Sequence, residues 1–219
     1  MKKYLITFLY LFLIGISSIS GQNNSSDFHQ YYEEGLKGYL EGNFQKAFDN
    51  FNKGYQSGDK ILCGQFLGEL YYSGLGCKQD SQKAFKYFKE SADLGNPEAQ
   101  YAVGIAYVLG EGCEQNLYKA REYYKKAADK GIPEASYNYG AMLFSGEGGP
   151  QDLEESLQYY MKASDAGFPD AQYCVALVYY YGDYKGMRLK QDKQKAYVLF
   201  KKSADQGLVK SAKAIDQLF

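Results

Sequence analysis

The chain has 219 residues, 45% hydrophobic and 23% charged, with a formal net charge of −1. That balance suits a folded protein of one or two ordinary domains, and the absence of a basic stripe excludes the electrostatic footprint of a nucleic-acid binder. With one histidine, His29, neither a Ser-His-Asp triad nor a His-rich metal site can be built.

Taken in chain order, Met1-Lys2-Lys3 is a positive start and Tyr4 to Ile16 an apolar run. Ser17-Ser18-Ile19-Ser20-Gly21 then offers small residues for cleavage. This reads as a secretory signal peptide over residues 1–20; the alternative, a membrane anchor, calls for a span of roughly 20 apolar residues. Cleavage leaves no stable membrane span, and 23 basic residues against 26 acidic ones. The expected location is therefore secreted or periplasmic. Residues 21–27 are polar and Ser/Asn-rich, the composition of a disordered lead.

From there a block recurs every 36 positions. Gly68, Gly104 and Gly140 keep that interval and Ala176 continues the series; Gly95, Gly131 and Gly167 keep it too. A fixed period of this length means a solenoid of stacked supersecondary units. In the clearest unit, residues 97–132, Tyr101, Gly104, Ile105 and Val108 recur at helical spacings of three and four. Pro97 fits a first helical position, Gly110-Glu111-Gly112 stops the first helix, and Asn116 caps the second, which runs from Leu117 to Lys130. Gly131 takes the left-handed position that follows. The units are helical hairpins over residues 60–96, 97–132, 133–168 and 169–208.

Pro133 and Pro169 open later first helices, and Asp80, Asp152 and Asp192 cap later second helices; Asp152 with Glu155 has the spacing of a capping box. The glycines and Ala84, Ala120 and Ala196 are expected to face each other inside the hairpins. The pairs Tyr87-Phe88, Tyr123-Tyr124, Tyr159-Tyr160 and Leu199-Phe200 are expected to fill the space between units. Residues 28–59 form an earlier unit with shorter spacing: Gly35 to Ala47 is 12 residues where Gly68 to Ala84 is 16. The last unit is longer, Ala176 to Ala196 being 20, with the extra residues falling within 182–188. Residues 209–219 would cap the final apolar face as one short helix.

The run L-G-x-x-Y-x-x-G-x-G, D-x-x-K-A-x-x-Y-[YF], A-x-x-G is carried by Leu67-Gly68, Tyr71, Gly74, Gly76, Asp80, Lys83-Ala84, Tyr87-Phe88, Ala92 and Gly95. It resembles the Sel-one-like repeat family of the tetratricopeptide-like superfamily. The resemblance implies an all-α, right-handed superhelical solenoid of helix–turn–helix repeats, with residues 28–59 as a tetratricopeptide-like N-terminal repeat. It also implies a protein or peptide partner, no cofactor, and first helices lining a concave face; nothing in it sets an oligomeric state.

Chemistry has few candidates. Ser57-Gly58-Asp59-Lys60 matches S-x-x-K, but its companion motifs are absent. Cysteine-rich relatives described as β-lactamases make a secreted or cell-wall-acting hydrolase the alternative reading. Those relatives carry paired cysteines where this chain has Ser91-Ala92, Ala127-Ala128, Ser164 and Ser203-Ala204. Four cysteines remain, Cys63, Cys77, Cys113 and Cys174. Equivalent positions of stacked helices lie roughly 8–10 Å apart, beyond the usual ~4.4–6.8 Å Cα reach of a disulfide. Buried thiols are therefore expected, with Cys77–Cys113 the one pair worth testing.

Positions three before, one after and four after each small residue point to the concave face. The first column is Tyr32, Gln65, Tyr101, Tyr137 and Tyr173. The second is Leu36, Glu69, Ile105, Ala141 and Leu177. The third is Tyr39, Tyr72, Val108, Phe144 and Tyr180, with Tyr181 beside it. Aromatic columns fit either packing on the neighbouring helix or an exposed recognition groove. The chain reads as a non-enzymatic adaptor whose candidate site residues are those of the first and third columns with Glu69, Ile105 and Tyr181.

Overall fold

The computed structural model describes residues 26–219; the signal-peptide and polar-lead readings lie outside the described residues. Five helical hairpins follow in order. The first pairs α1 (Ser26–Leu40) with α2 (Phe44–Gln56), the second α3 (Leu62–Ser73) with α4 (Ser81–Asp93), and the third α5 (Pro97–Leu109) with α6 (Leu117–Asp129). The fourth pairs α7 (Pro133–Ser145) with α8 (Leu153–Asp165), and the fifth α9 (Pro169–Tyr181) with α10 (Lys193–Asp205); α11 (Val209–Leu218) closes the array. The main helix contacts all run between chain neighbours, the quasi-one-dimensional packing of a solenoid. Among the described residues no helix is long and apolar enough to cross a membrane.

Helix ends follow local chemistry. Asp80, Asn116, Asp152 and Asp192 each accept the backbone N–H three residues on, at 2.9–3.0 Å, satisfying a donor the helix leaves open. Pro97, Pro133 and Pro169 occupy the helix starts. The Asp152 capping box forms only by half. The Asp152 N–H donates to the Leu143 carbonyl at 3.0 Å, while Glu155 Oε1 accepts instead from Lys125 Nζ at 2.9 Å and from the Tyr139 hydroxyl at 3.2 Å.

Inside each hairpin the expectation of small against small is corrected. A Cβ built on Gly68 would lie 2.6 Å from the Phe88 ring, on Gly104 2.6 Å from Tyr124, on Gly35 2.7 Å from Phe51, and on Gly140 3.2 Å from Tyr160. The glycine is thus the seat of a large ring, not the mate of an alanine. The second residue of each aromatic pair sits within its own hairpin, and only the first reaches outward. Tyr123 donates to Asp93 at 2.7 Å and Tyr159 to Asp129 at 2.6 Å, each a carboxylate of the preceding unit.

The longer loop of the fifth unit is a β-hairpin. β1 (Asp183–Tyr184) pairs antiparallel with β2 (Met187–Arg188). Lys185 at φ 54° and Gly186 at φ 89° supply the two left-handed residues of its turn. Met187 is buried against Leu157 and Val175.

All four cysteines are free thiols, but only Cys63 is fully buried. Cys77 and Cys113 lie half-buried and donate to the Leu70 and Ala106 carbonyls at 3.5 and 3.6 Å. They close the ends of α3 and α5, which explains their matching positions. At the sites that carry cysteines in the cysteine-rich relatives, Ser203 is buried and donates to the Pro169 carbonyl at 2.7 Å, and Ser91 donates to the Ile61 carbonyl.

Gly112 and Gly42 have nearly equal φ, 72° and 75°, but a Cβ on Gly112 would strike the Ser81 carbonyl of the preceding unit while one on Gly42 meets open space. Gly42→Ala is expected to cost about 1–2 kcal/mol, the left-handed penalty alone. Gly112→Ala is expected to cost about 3 kcal/mol or more as backbone overpacking adds to it. Urea unfolding of the two variants checks the difference; equal losses would refute the unit–unit contact.

Candidate functional site

The odd-numbered helices α1, α3, α5, α7 and α9 bring the three columns together on one face. The first column packs. Tyr32 lies 6.2 Å from Phe51 and 5.9 Å from Phe66 between ring centres, Tyr101 5.8 Å from Tyr124, Tyr137 5.5 Å from Tyr160, and Tyr173 5.7 Å from Phe200. All four are half-buried, their rings resting on the aromatic residue under the glycine. Burial, aided by nearby acids, raises the Tyr32 hydroxyl to about 12. In the second column Leu36 and Leu177 belong to the core, whereas Ile105 and Ala141 are half-buried.

The third column is more open. Tyr72 is 47% exposed and Tyr181 49%, and Tyr39, Val108, Phe144 and Tyr180 are half-buried. Tyr180 packs at 5.0 Å on Tyr181 and 5.3 Å on Phe219, and its hydroxyl donates to the Leu218 carbonyl at 3.0 Å. The closing helix therefore touches this face as well as capping the core.

Around Glu69 the columns converge. Its carboxylate accepts from the Tyr39 hydroxyl at 3.4 Å and from Gln65 Nε2 at 3.3 Å, and Gln65 Oε1 accepts from Asn96 Nδ2 at 3.0 Å. Burial raises the carboxyl to about 7; the Tyr39 and Gln65 hydrogen bonds oppose this, and Glu98 nearby adds to it. Glu98 of the third unit also raises Tyr32 of the first, an approach across two units that an inward-curving face requires. Glu111 sits beside the Tyr72 hydroxyl and raises it.

Sequence spacing missed Glu98, Glu111 and Asn96, because they fall at helix ends and loops outside the columns. Ser57 is exposed at the end of α2, and the Lys60 ammonium lies 5.7 Å over the Tyr55 ring. Among the described residues no cluster of His, Cys, Asp and Glu could hold a metal ion.

Sequence models of the Sel1 repeat match residues 20–59, 65–96, 97–132, 133–168 and 169–208. The chain belongs to the Sel1 repeat family. No curated protein matches it. Among solved structures it is similar to the protective antigen c5321 of uropathogenic Escherichia coli, described as an SLR fold, with 30% identity and a TM-score of 0.77. That match covers 86% of this chain but only 40% of the antigen. A Sel1 repeat protein from Oxalobacter formigenes matches at 28% identity and TM-score 0.74, over 84% of this chain and 73% of its own. YrrB, a TPR protein described as having an unusual peptide-binding site, shares the fold at 20% identity and TM-score 0.52, over 87% of this chain and 93% of its own. The first Sel1 repeat, residues 20–59, takes in the tetratricopeptide-like unit.

This Sel1 repeat array carries its own pH signature. Folding raises the Glu69 pKa from an ordinary 4.5 to about 7, so the folded chain keeps a proton that the unfolded chain has released between those values. The stability this group contributes is fully present below pH 4.5, declines as pH rises, and is lost above about pH 7. Glu69→Gln is expected to unfold in urea with a smaller drop in midpoint from about pH 5 to about pH 8 than the parent shows. An identical drop in both proteins refutes the assignment.

Proposed function

We propose that this Sel1 repeat protein is a non-enzymatic scaffold, secreted or periplasmic, that binds a peptide or protein segment along the concave face of the solenoid. The observation that carries the reading is the third column. A core would bury these rings, yet Tyr72 and Tyr181 keep about half their surface in water, and Phe144 and Tyr180 are only partly covered. Large, stiff, amphipathic rings give contact area at low entropic cost, which suits them to recognition. The peptide-binding site named for YrrB supports a similar use of this fold. The repeat supplies one surface of stacked helices in place of a convergent set of acid, base and nucleophile. Lys2-Lys3, the apolar run and the small residues after it support export.

Two measurements test this. The combined Tyr72→Ala, Phe144→Ala and Tyr180→Ala protein, still helical by circular dichroism, is expected to lose at least tenfold in affinity for the envelope partner it is used to capture, about 1.4 kcal/mol or more. Unchanged affinity refutes the groove. For export, the intact mass of the protein recovered from its producing cell is expected to fit a chain beginning at Gly21. A mass that retains the apolar run refutes cleavage.

A further inference from the structure

The rings along the first-helix face are similar from end to end, but the charges beside them change sign. Towards the first units the neighbours are acids: Glu69 under Tyr39, Glu98 within reach of Tyr32, and Glu111 beside Tyr72. None of the three pairs with a lysine or arginine among the described residues, although nine other ion pairs are formed there. Towards the last units the neighbours are lysines. The Lys185 ammonium lies 6.0 Å from the Phe144 ring centre, Lys193 4.8 Å from Tyr180, and Lys210 4.7 Å from Tyr173. Lys185 and Lys193 have no carboxylate partner among the described residues, and Lys210 holds Asp170 at 2.6 Å.

The formal charge of the whole chain is only −1, so this separation is local to the face. Elsewhere the lysines are answered on the spot: Lys89 with Asp93, Lys126 with Glu122, and Lys125 with Glu155.

Resting on the groove reading above, we propose that this face is a charge-polarised groove for an extended peptide. The peptide carries basic side chains at one end, seated over α1 to α5, and acidic side chains at the other, seated over α7 to α11. Each half lacks what such a peptide brings. Glu69 is kept from water with only a hydroxyl and an amide as donors, and an incoming ammonium or guanidinium supplies the missing counter-charge. The tyrosine faces beside it add attraction for the same cation. At the far end, Lys185 and Lys193 offer donors to a carboxylate while their stems lie along rings the peptide also touches.

The test uses three fluorescent, end-blocked peptides of equal length and identical apolar centre. One has two lysines at one end and two glutamates at the other, one has all four charges as lysine, and one has all four as glutamate. By fluorescence anisotropy the bipolar peptide is expected to bind tightest. Glu69→Gln with Glu98→Gln should weaken the bipolar and all-lysine peptides about fivefold and spare the all-glutamate one. Lys185→Asn with Lys193→Ala should do the reverse, Asn being chosen because residue 185 has positive φ. Should the double acid variant misfold, Glu98→Gln alone, at an exposed position, serves in its place.

Equal affinity for all three peptides, lost in the Tyr72/Phe144/Tyr180 triple variant, overturns the polarity and leaves the groove standing. No binding of any peptide at about 1 mM, or binding indifferent to the acid and lysine substitutions, overturns the polarity. A concentration-dependent dimer dissolved by either pair of substitutions assigns the face to a second copy of this chain and overturns the peptide occupant.

Discussion

The whole array depends on one close approach, a ring of the second helix pressed against a residue of the first that has no side chain. Phe51 over Gly35, Phe88 over Gly68, Tyr124 over Gly104 and Tyr160 over Gly140 repeat it along the chain. In the fifth hairpin Phe200 is fully buried over Ala176. Without a Cβ in the way, the ring lies between the two helices and holds them at a set separation and rotation. The first-column tyrosines then rest on that ring, which fixes the face they line. Overpacking this seat moves the face with it, since a close-packed interior does not absorb volume locally.

A second contact sets how hairpins stack. Gly76, Gly112 and Gly148 lie against the first residues of the preceding second helix, where a Cβ would strike the carbonyls of Phe44, Ser81 and Leu117. In the fifth unit the glycine loop is replaced by the β-hairpin, whose Gly186 lies against Leu153, the matching residue of α8. The insertion keeps the stacking contact by another backbone route. It also brings Lys185 over Phe144, so a change in loop length alters the charge of the groove without disturbing the stack.

The outer face is consumed by its own ladder. Tyr123 and Tyr159 donate to Asp93 and Asp129 of the units before them, Tyr55 donates to Glu90 of the unit after it, and lysines lie over the same rings. Acids and lysines there answer each other across each junction. The first-helix face has no such ladder, and its charges remain available to a partner.

Much of this was legible in residue order, because its causes are local. Proline at a helix start, an aspartate or asparagine cap and a left-handed glycine act within four residues, so the repeat, the hairpins and their ends follow from the sequence, as do the family and the aromatic columns. Three things were decided only by tertiary structure. Spacing places Ala84 and Phe88 on one helix but does not say which lies over Gly68, since both recur with the unit and the choice rests on side-chain volume between helices. The turn at Lys185-Gly186 carries a single weak signal, and pairing with β2 and burial of Met187 against α8 and α9 make it a hairpin. The environment of Glu69, and the sign of the charge beside each ring, arise from residues of different units brought together by curvature, a sum over the array that no single repeat contains.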